Sequence, residues 1–204
     1  MPGQAAYRGI HLIVTVSMIR FGNKMNVFEA IEKRHSYRGA FTDQLLPRQD
    51  LRRIVQAGIQ APSGCNKQTT SFVIVDEPEL VQRIRQLHPR NQAMCTAQAY
   101  IACVVDRNPP AVYADYQFQV EDCSTATENI LLAVTALGYA TVWIDGWLRL
   151  ENHADAIGEL LALPQDKILR IILPIGVPAE MHMQRDKIPF DQRAWFNRYN
   201  SLGE

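Results

Sequence analysis

The chain has 204 residues, 47% hydrophobic and 21% charged, the make-up of one soluble domain able to bury its own core without disulfide or metal staples. Lys plus Arg and Asp plus Glu each total 21, so there is no basic excess to hold a long polyanion, and no nucleic-acid partner is expected. Cys65, Cys95, Cys103 and Cys123 have neither C-x-x-C spacing nor the density of a secreted disulfide scaffold; free thiols in a reducing, cytoplasmic compartment are the expectation.

Residues 1–24 contain a mostly apolar stretch, His11 to Ser17, too short to span a membrane and without a cleavage signal, so no membrane partner is expected. This extension reads as a non-native translation start, or else as an added edge strand or partner-covering arm. From Met25 to Arg34, Val27, Phe28, Ala30 and Ile31 recur at helical spacing. Leu46-Pro47 opens a second helix with a stripe of Leu51, Ile54, Val55 and Ile59, ending before Pro62.

Ser71 to Val75 reads as a strand, and Pro78 starts a helix carrying Leu80, Val81, Ile84 and Leu87. Tyr100 to Val105 is a strand with no polar alternation, so both of its faces should be covered. The longest helix is expected from near Tyr113 or Tyr116 to Leu137, closed by Gly138. A strand at Ala140 to Ile144, a helix at Ala154 to Leu163 and a strand at Ile168 to Ile175 follow. This order predicts a mixed or partly parallel central sheet flanked by helices. The tail, with Phe190, Trp195, Phe196 and Tyr199 but little regular pattern, calls for a surface to bury against, and a second subunit is the obvious one.

Four constellations carry chemistry. Arg34, Ser36 and Arg38 alternate along extended chain in RHSYR, and guanidinium is the planar multidonor best matched to phosphate; a solvated basic turn is the plainer alternative. In APSGCNKQ, Ala61 to Gln68, a glycine permits close approach and Asn66 and Gln68 offer amides that could read the edge of a heteroaromatic ring; a simple polar connection is the rival reading. Asp145-Gly146 puts backbone amides at the end of the sheet, with Trp143 and Trp147 as covers for a flat ligand or as core. Arg185 and Lys187 add two cations if the chain folds back. No P-loop, Rossmann glycine pattern or nucleophile elbow is present.

Together, AIEKRHSYRGAF, APSGCNKQ, EDCSTATENILLAVTALGYATVWIDG, LPIGVP and RDKIP, in that order, resemble the nitroreductase family of flavoenzymes from about Met25 to Tyr199. The resemblance implies an α+β fold, an intertwined homodimer and FMN at the subunit interface. It assigns Arg34, Ser36 and Arg38 to the FMN phosphate and ribityl chain, with His35 beside them and Arg185 and Lys187 completing the pocket. Pro62, Ser63, Gly64 and Asn66 would approach from the other subunit, and the Asp145 backbone amide, next to Gly146, would meet flavin N5. No metal site is expected. It further implies a domain at 25–187, a partner-embracing tail at 188–204, and ping-pong electron transfer from NAD(P)H to a nitroaromatic, quinone or other conjugated acceptor. A specialised flavin enzyme such as a reductive dehalogenase, with a lid between Arg107 and Gln119, and a non-catalytic FMN-binding module are the alternatives. The chain departs from the family pattern in Thr69-Thr70-Ser71-Phe72, where an aromatic residue is usual, and in Asp145, where glutamate is commoner.

Overall fold

The computed structural model describes residues 25–200. The expectations for residues 1–24 and for the last four residues of the tail lie outside the described residues. The first helix, α1 (Val27–Lys33), is opened by a reciprocal cap: the Glu29 N–H donates to Asn26 Oδ1 at 3.0 Å and the Asn26 N–H to Glu29 Oε2 at 2.9 Å. It buries only Ala30, leaving Val27, Phe28 and Ile31 exposed. Helix α2 (Arg48–Ile59) buries Leu51, Ile54, Val55 and Gly58, whereas Ile59, expected on that stripe, is half exposed. The stripe turns one residue earlier because Gly58 faces Ile130 of the long helix; an added Cβ there would stand 2.8 Å from Ile130 Cδ1.

Strand β1 (Ser71–Val75), helix α3 (Pro78–Leu87), strand β2 (Ala99–Asp106), helix α5 (Gln119–Ala136), strand β3 (Ala140–Thr141), helix α6 (His153–Leu160) and strand β4 (Lys167–Gly176) follow, with a short α4 (Gln92–Thr96) before β2. Helix α4 was not expected; Asn91 caps it by accepting from the Met94 N–H at 3.1 Å. Helix α5 starts later than Tyr113 or Tyr116, because Val112 N–H donates to Tyr116 O and Ala114 has a left-handed φ of 46°, making a tight turn instead. Its other end is as expected, with Gly138 at φ 81°. The third strand is bonded over two residues only, and Ile144 joins β4 through an isolated bridge to Ile172. Helix α6 stops at Leu160, short of the expected Leu163, before a left-handed Ala162.

The fold is α+β, a central sheet flanked by helices, with strand order β1-β2-β4-β3. The expectation of a partly parallel sheet is corrected: all three strand pairs among the described residues are antiparallel. Helical connections and apolar strands covered on both faces suggested parallel pairing, but that coverage comes from two helical layers, whatever the strand direction. Along β2, Tyr100, Ala102 and Val104 face the core shared with α3, α4 and α6, while Ile101, Cys103 and Val105 face α2 and α5.

On β4 this alternation changes phase. Cys103 pairs with Ile171 and Val104 with Leu169, leaving Arg170 as the extra residue of a bulge. Leu169 and Ile171 therefore enter opposite cores despite being two residues apart. Cys103 and Cys123 are fully buried free thiols, and the hydrogen bond with Cys123, then burial, push the Cys103 thiol well above its ordinary value. No helix among the described residues is long and apolar enough to cross a membrane.

Candidate functional site

Beyond Lys33 the chain leaves the helix in extended form at Arg34 and is anchored at three points. Tyr37 N–H donates to Thr141 O on β3, Phe41 N–H to Thr96 Oγ1, and Thr42 N–H to Val177 O just past β4. Tyr37 and Phe41 plug into the core, and Ser36 and Arg38, on either side of Tyr37, are turned outward. The chain leaving β4 runs back beside this segment: Ala179 N–H donates to Ala40 O, and the Gln184 amide caps the end of α1 by donating to Glu32 O at 2.8 Å. His182 stacks edge-on to Tyr37, with centroids 5.0 Å apart.

The result is a cavity of about 410 Å³ bordered by Arg34, His35, Ser36, Arg38, Arg185 and Lys187. The fold thus brings together two clusters about 150 residues apart in sequence, as the Arg34 to Gln184 hydrogen bond at 3.3 Å shows directly. Among the described residues no carboxylate borders the cavity. Arg34 has a partner behind it, Glu128 on α5 at 3.5 Å, but Arg38, Arg185 and Lys187 form no ion pair among the described residues. Uncompensated cations around one hollow repel one another and favour an anion between them. The ring of His35 adds a second sign. Its Nδ1 lies 3.0 Å from the Lys33 carbonyl, which only accepts, so Nδ1 donates; in the neutral ring Nε2, buried and without a partner among the described residues, is then an acceptor that suits a hydroxyl. A phosphate group, with several acceptor oxygens, fits the Arg34, Ser36, Arg38, Arg185 and Lys187 donors, and a hydroxyl carried beside it fits Nε2.

The Pro62–Gln68 loop lies elsewhere in the chain, against α5. Cys65, Asn66 and Gln68 all have left-handed backbone, with φ of 49°, 55° and 51°. The loop is held in that form by Asp122, a buried carboxylate that accepts from Gly64 N–H at 2.8 Å and from the Thr69 hydroxyl at 2.7 Å. Ser63 Oγ accepts from Gln68 N–H at 2.9 Å. Sequence reasoning missed Asp122 as the organiser of this loop, since 58 residues separate it from Gly64. Pro62 and Ser63 line a separate cavity of about 140 Å³, and neither borders the basic one.

Asp145-Gly146 forms the corner between the Ile144 bridge and a 3-10 turn at Trp147–Arg149. The Asp145 carboxylate accepts from Arg149 Nε and Nη2, both at 2.7 Å, and from Arg170 Nη1. Burial alone would raise its pKa, but the Arg149 hydrogen bonds and the Arg170 charge outweigh burial and hold it below the usual carboxylate range. Trp143 packs with the α2 and α5 core, and Trp147 stacks with His88 and with His153, at 4.3 and 4.1 Å. Trp147 thus stacks with two rings of its own chain. The 107–119 segment raises Tyr113 and Tyr116, each 67% exposed, on its tight turn, while Gln119 borders a cavity of about 360 Å³ beside Lys67 and Thr69.

Comparison with known proteins bears on this geometry. The Nitroreductase family profile matches residues 31–88 and 85–177. A Methanothermobacter thermautotrophicus protein, provisionally named an NADH dehydrogenase/NAD(P)H nitroreductase, is 32% identical over 176 residues, covering 86% of this chain and 90% of its own. The crystal structure of nitroreductase A from Vibrio parahaemolyticus superposes with a TM-score of 0.69 at 27% identity, over 87% of this chain and 78% of that one. A structure from Clostridium difficile described as an FMN-dependent nitroreductase gives a TM-score of 0.70 at 24% identity, over 83% and 98%.

Proposed function

Because the chain belongs to the nitroreductase family, we propose that it is an FMN-dependent NAD(P)H oxidoreductase, acting as a homodimer on a nitroaromatic, quinone or other small conjugated acceptor. The observation that carries the reading is the convergence of Arg34, Arg38, Arg185 and Lys187 on one cavity that no carboxylate among the described residues borders, with His35 Nε2, partnerless among those residues, beside them.

In this reading those four cations and Ser36 bind the FMN phosphate and ribityl chain, the phosphate through charge-assisted hydrogen bonds, and His35 Nε2 accepts from a ribityl hydroxyl. When bound, FMN supplies the redox chemistry, accepting hydride from NAD(P)H and passing electrons to an acceptor that follows in the same cleft. The protein contributes orientation. The Asp145 and Gly146 amides face the ring near N5, and Pro62, Ser63, Gly64 and Asn66 approach it across the subunit interface. That assigns residues 25–187 to the FMN-binding unit and 188–204 to a tail embracing the partner. Exposed apolar side chains support a second subunit: Phe28 and Ile31 on α1, and Phe190, Phe196 and Tyr199 on the tail. A cytoplasmic setting follows from the free thiols.

The test is an absorbance spectrum after FMN reconstitution and desalting, followed anaerobically by NADH and then NADPH. Retained flavin that bleaches with either nucleotide supports the reading and identifies the donor. Retained flavin inert to both leaves a non-catalytic binding module, and no retained flavin overturns the assignment.

A further inference from the structure

The corner at Asp145 shows an asymmetry between its side chain and its backbone. Behind the corner, the carboxylate is tied to two separate elements: to Arg149 in the following 3-10 turn, and to Arg170 on β4. Arg170 is the extra residue of the β4 bulge. Bulges re-aim side chains, and here the phase change puts a guanidinium on Asp145 while both neighbours, Leu169 and Ile171, stay in the core. The side chains of Asp145 and Arg170 are 21% and 20% exposed, so the pair is partly shielded from water.

In front, the Asp145 and Gly146 N–H groups meet no acceptor among the described residues. Gly146 has φ −56° and ψ −39°, a conformation any residue adopts, and an added Cβ would find nothing within 4 Å. Neither the backbone nor the packing of this chain calls for glycine there; it leaves space for a group from outside.

We infer that the Asp145 carboxylate is a positioning group, whose clamp by Arg149 and the bulged Arg170 fixes the Asp145 and Gly146 amides where a bound flavin ring meets them. The inference rests on the functional reading above and adds to it a role for three side chains. Two N–H dipoles held rigidly favour the more negatively charged form of the ring, and a loosened corner favours it less. The clamp therefore bears on the redox balance of the bound flavin more than on the fold.

The experiment compares wild type with Asp145→Asn, Asp145→Glu and Arg149→Gln, measuring the FMN dissociation constant by fluorescence quenching, the two-electron reduction potential of the bound flavin, and the melting temperature. Asp145→Asn keeps the shape but removes both ion pairs. Reduced FMN is expected to bind about tenfold less tightly relative to oxidised FMN, a fall of about 30 mV for a two-electron couple. Arg149→Gln, at an exposed position that leaves the Arg170 pair, should shift in the same direction by less, and Asp145→Glu should recover part of the loss. If Asp145→Asn fails to fold, Arg149→Gln decides. A wild-type potential in the folded variants, with or without a lower melting temperature, makes the clamp structural only and overturns the inference while FMN binding stands. A wild-type chain that retains no FMN removes both.

Discussion

The Pro62–Gln68 loop and the Asp145–Gly146 corner are both glycine-bearing breaks beside the sheet, yet the chain closes one and leaves the other open. At Gly64 an added Cβ would sit 2.6 Å from Phe118 Cδ2, and the Gly64 N–H is held by Asp122. At Gly146 the same atom meets nothing. The first glycine is required by the chain's own packing. The second, like the unpaired cations of the basic cavity, acquires a reason only from something that binds. A glycine whose added Cβ would clash within the chain reports on folding, and one with empty space around it among the described residues reports on ligands.

Substitutions should separate the two regions. The largest effect is expected from Asp122→Ala, which strands two partly buried donors; chemical denaturation should show a loss of about 3 kcal/mol. Gly64→Ala comes next, at about 2 kcal/mol from overpacking against Phe118. A wild-type stability for either variant would break the comparison on the closed side. On the open side, Arg38 makes one hydrogen bond among the described residues, to Ser36 O at 3.3 Å. Arg38→Ala should leave the melting temperature nearly unchanged while weakening FMN retention about tenfold, or about 1.4 kcal/mol.

Gly146→Ala sharpens the contrast further, because the two readouts should move oppositely. Removing chain entropy at a position with helical φ and ψ should stabilise the apoprotein by about 0.5 kcal/mol, while flavin retention falls. The smallest effect concerns pH. Asp145 has a folded pKa below its unfolded value of about 4. Its contribution to stability is complete above the unfolded pKa and is lost as pH falls through the folded one. Asp145→Asn should remove that part of the acid limb in melting temperature against pH, and an unchanged limb would mean that the ion pairs add nothing to the fold.

Local patterns determined much of this protein. Pro78 at a helix start, Gly138 at a helix end, the unbroken apolar run of β2 and the strand at Ser71–Val75 were legible because each rests on neighbouring residues and on hydrophobic period. The RHSYR cluster was legible for the same reason, as adjacent cations on extended chain. What tertiary structure alone decided depends on residues far apart. The antiparallel sheet follows from how the helices route the chain between strands. The late start of α5 follows from a turn that a periodicity reading runs through. The meeting of Arg34 with Arg185, the hold of Asp122 on Gly64 and the clamp of Arg170 on Asp145 span 25 to about 150 residues. Such contacts are fixed by one extra residue in a strand or by the return of a tail, and neither leaves a periodic mark in the sequence.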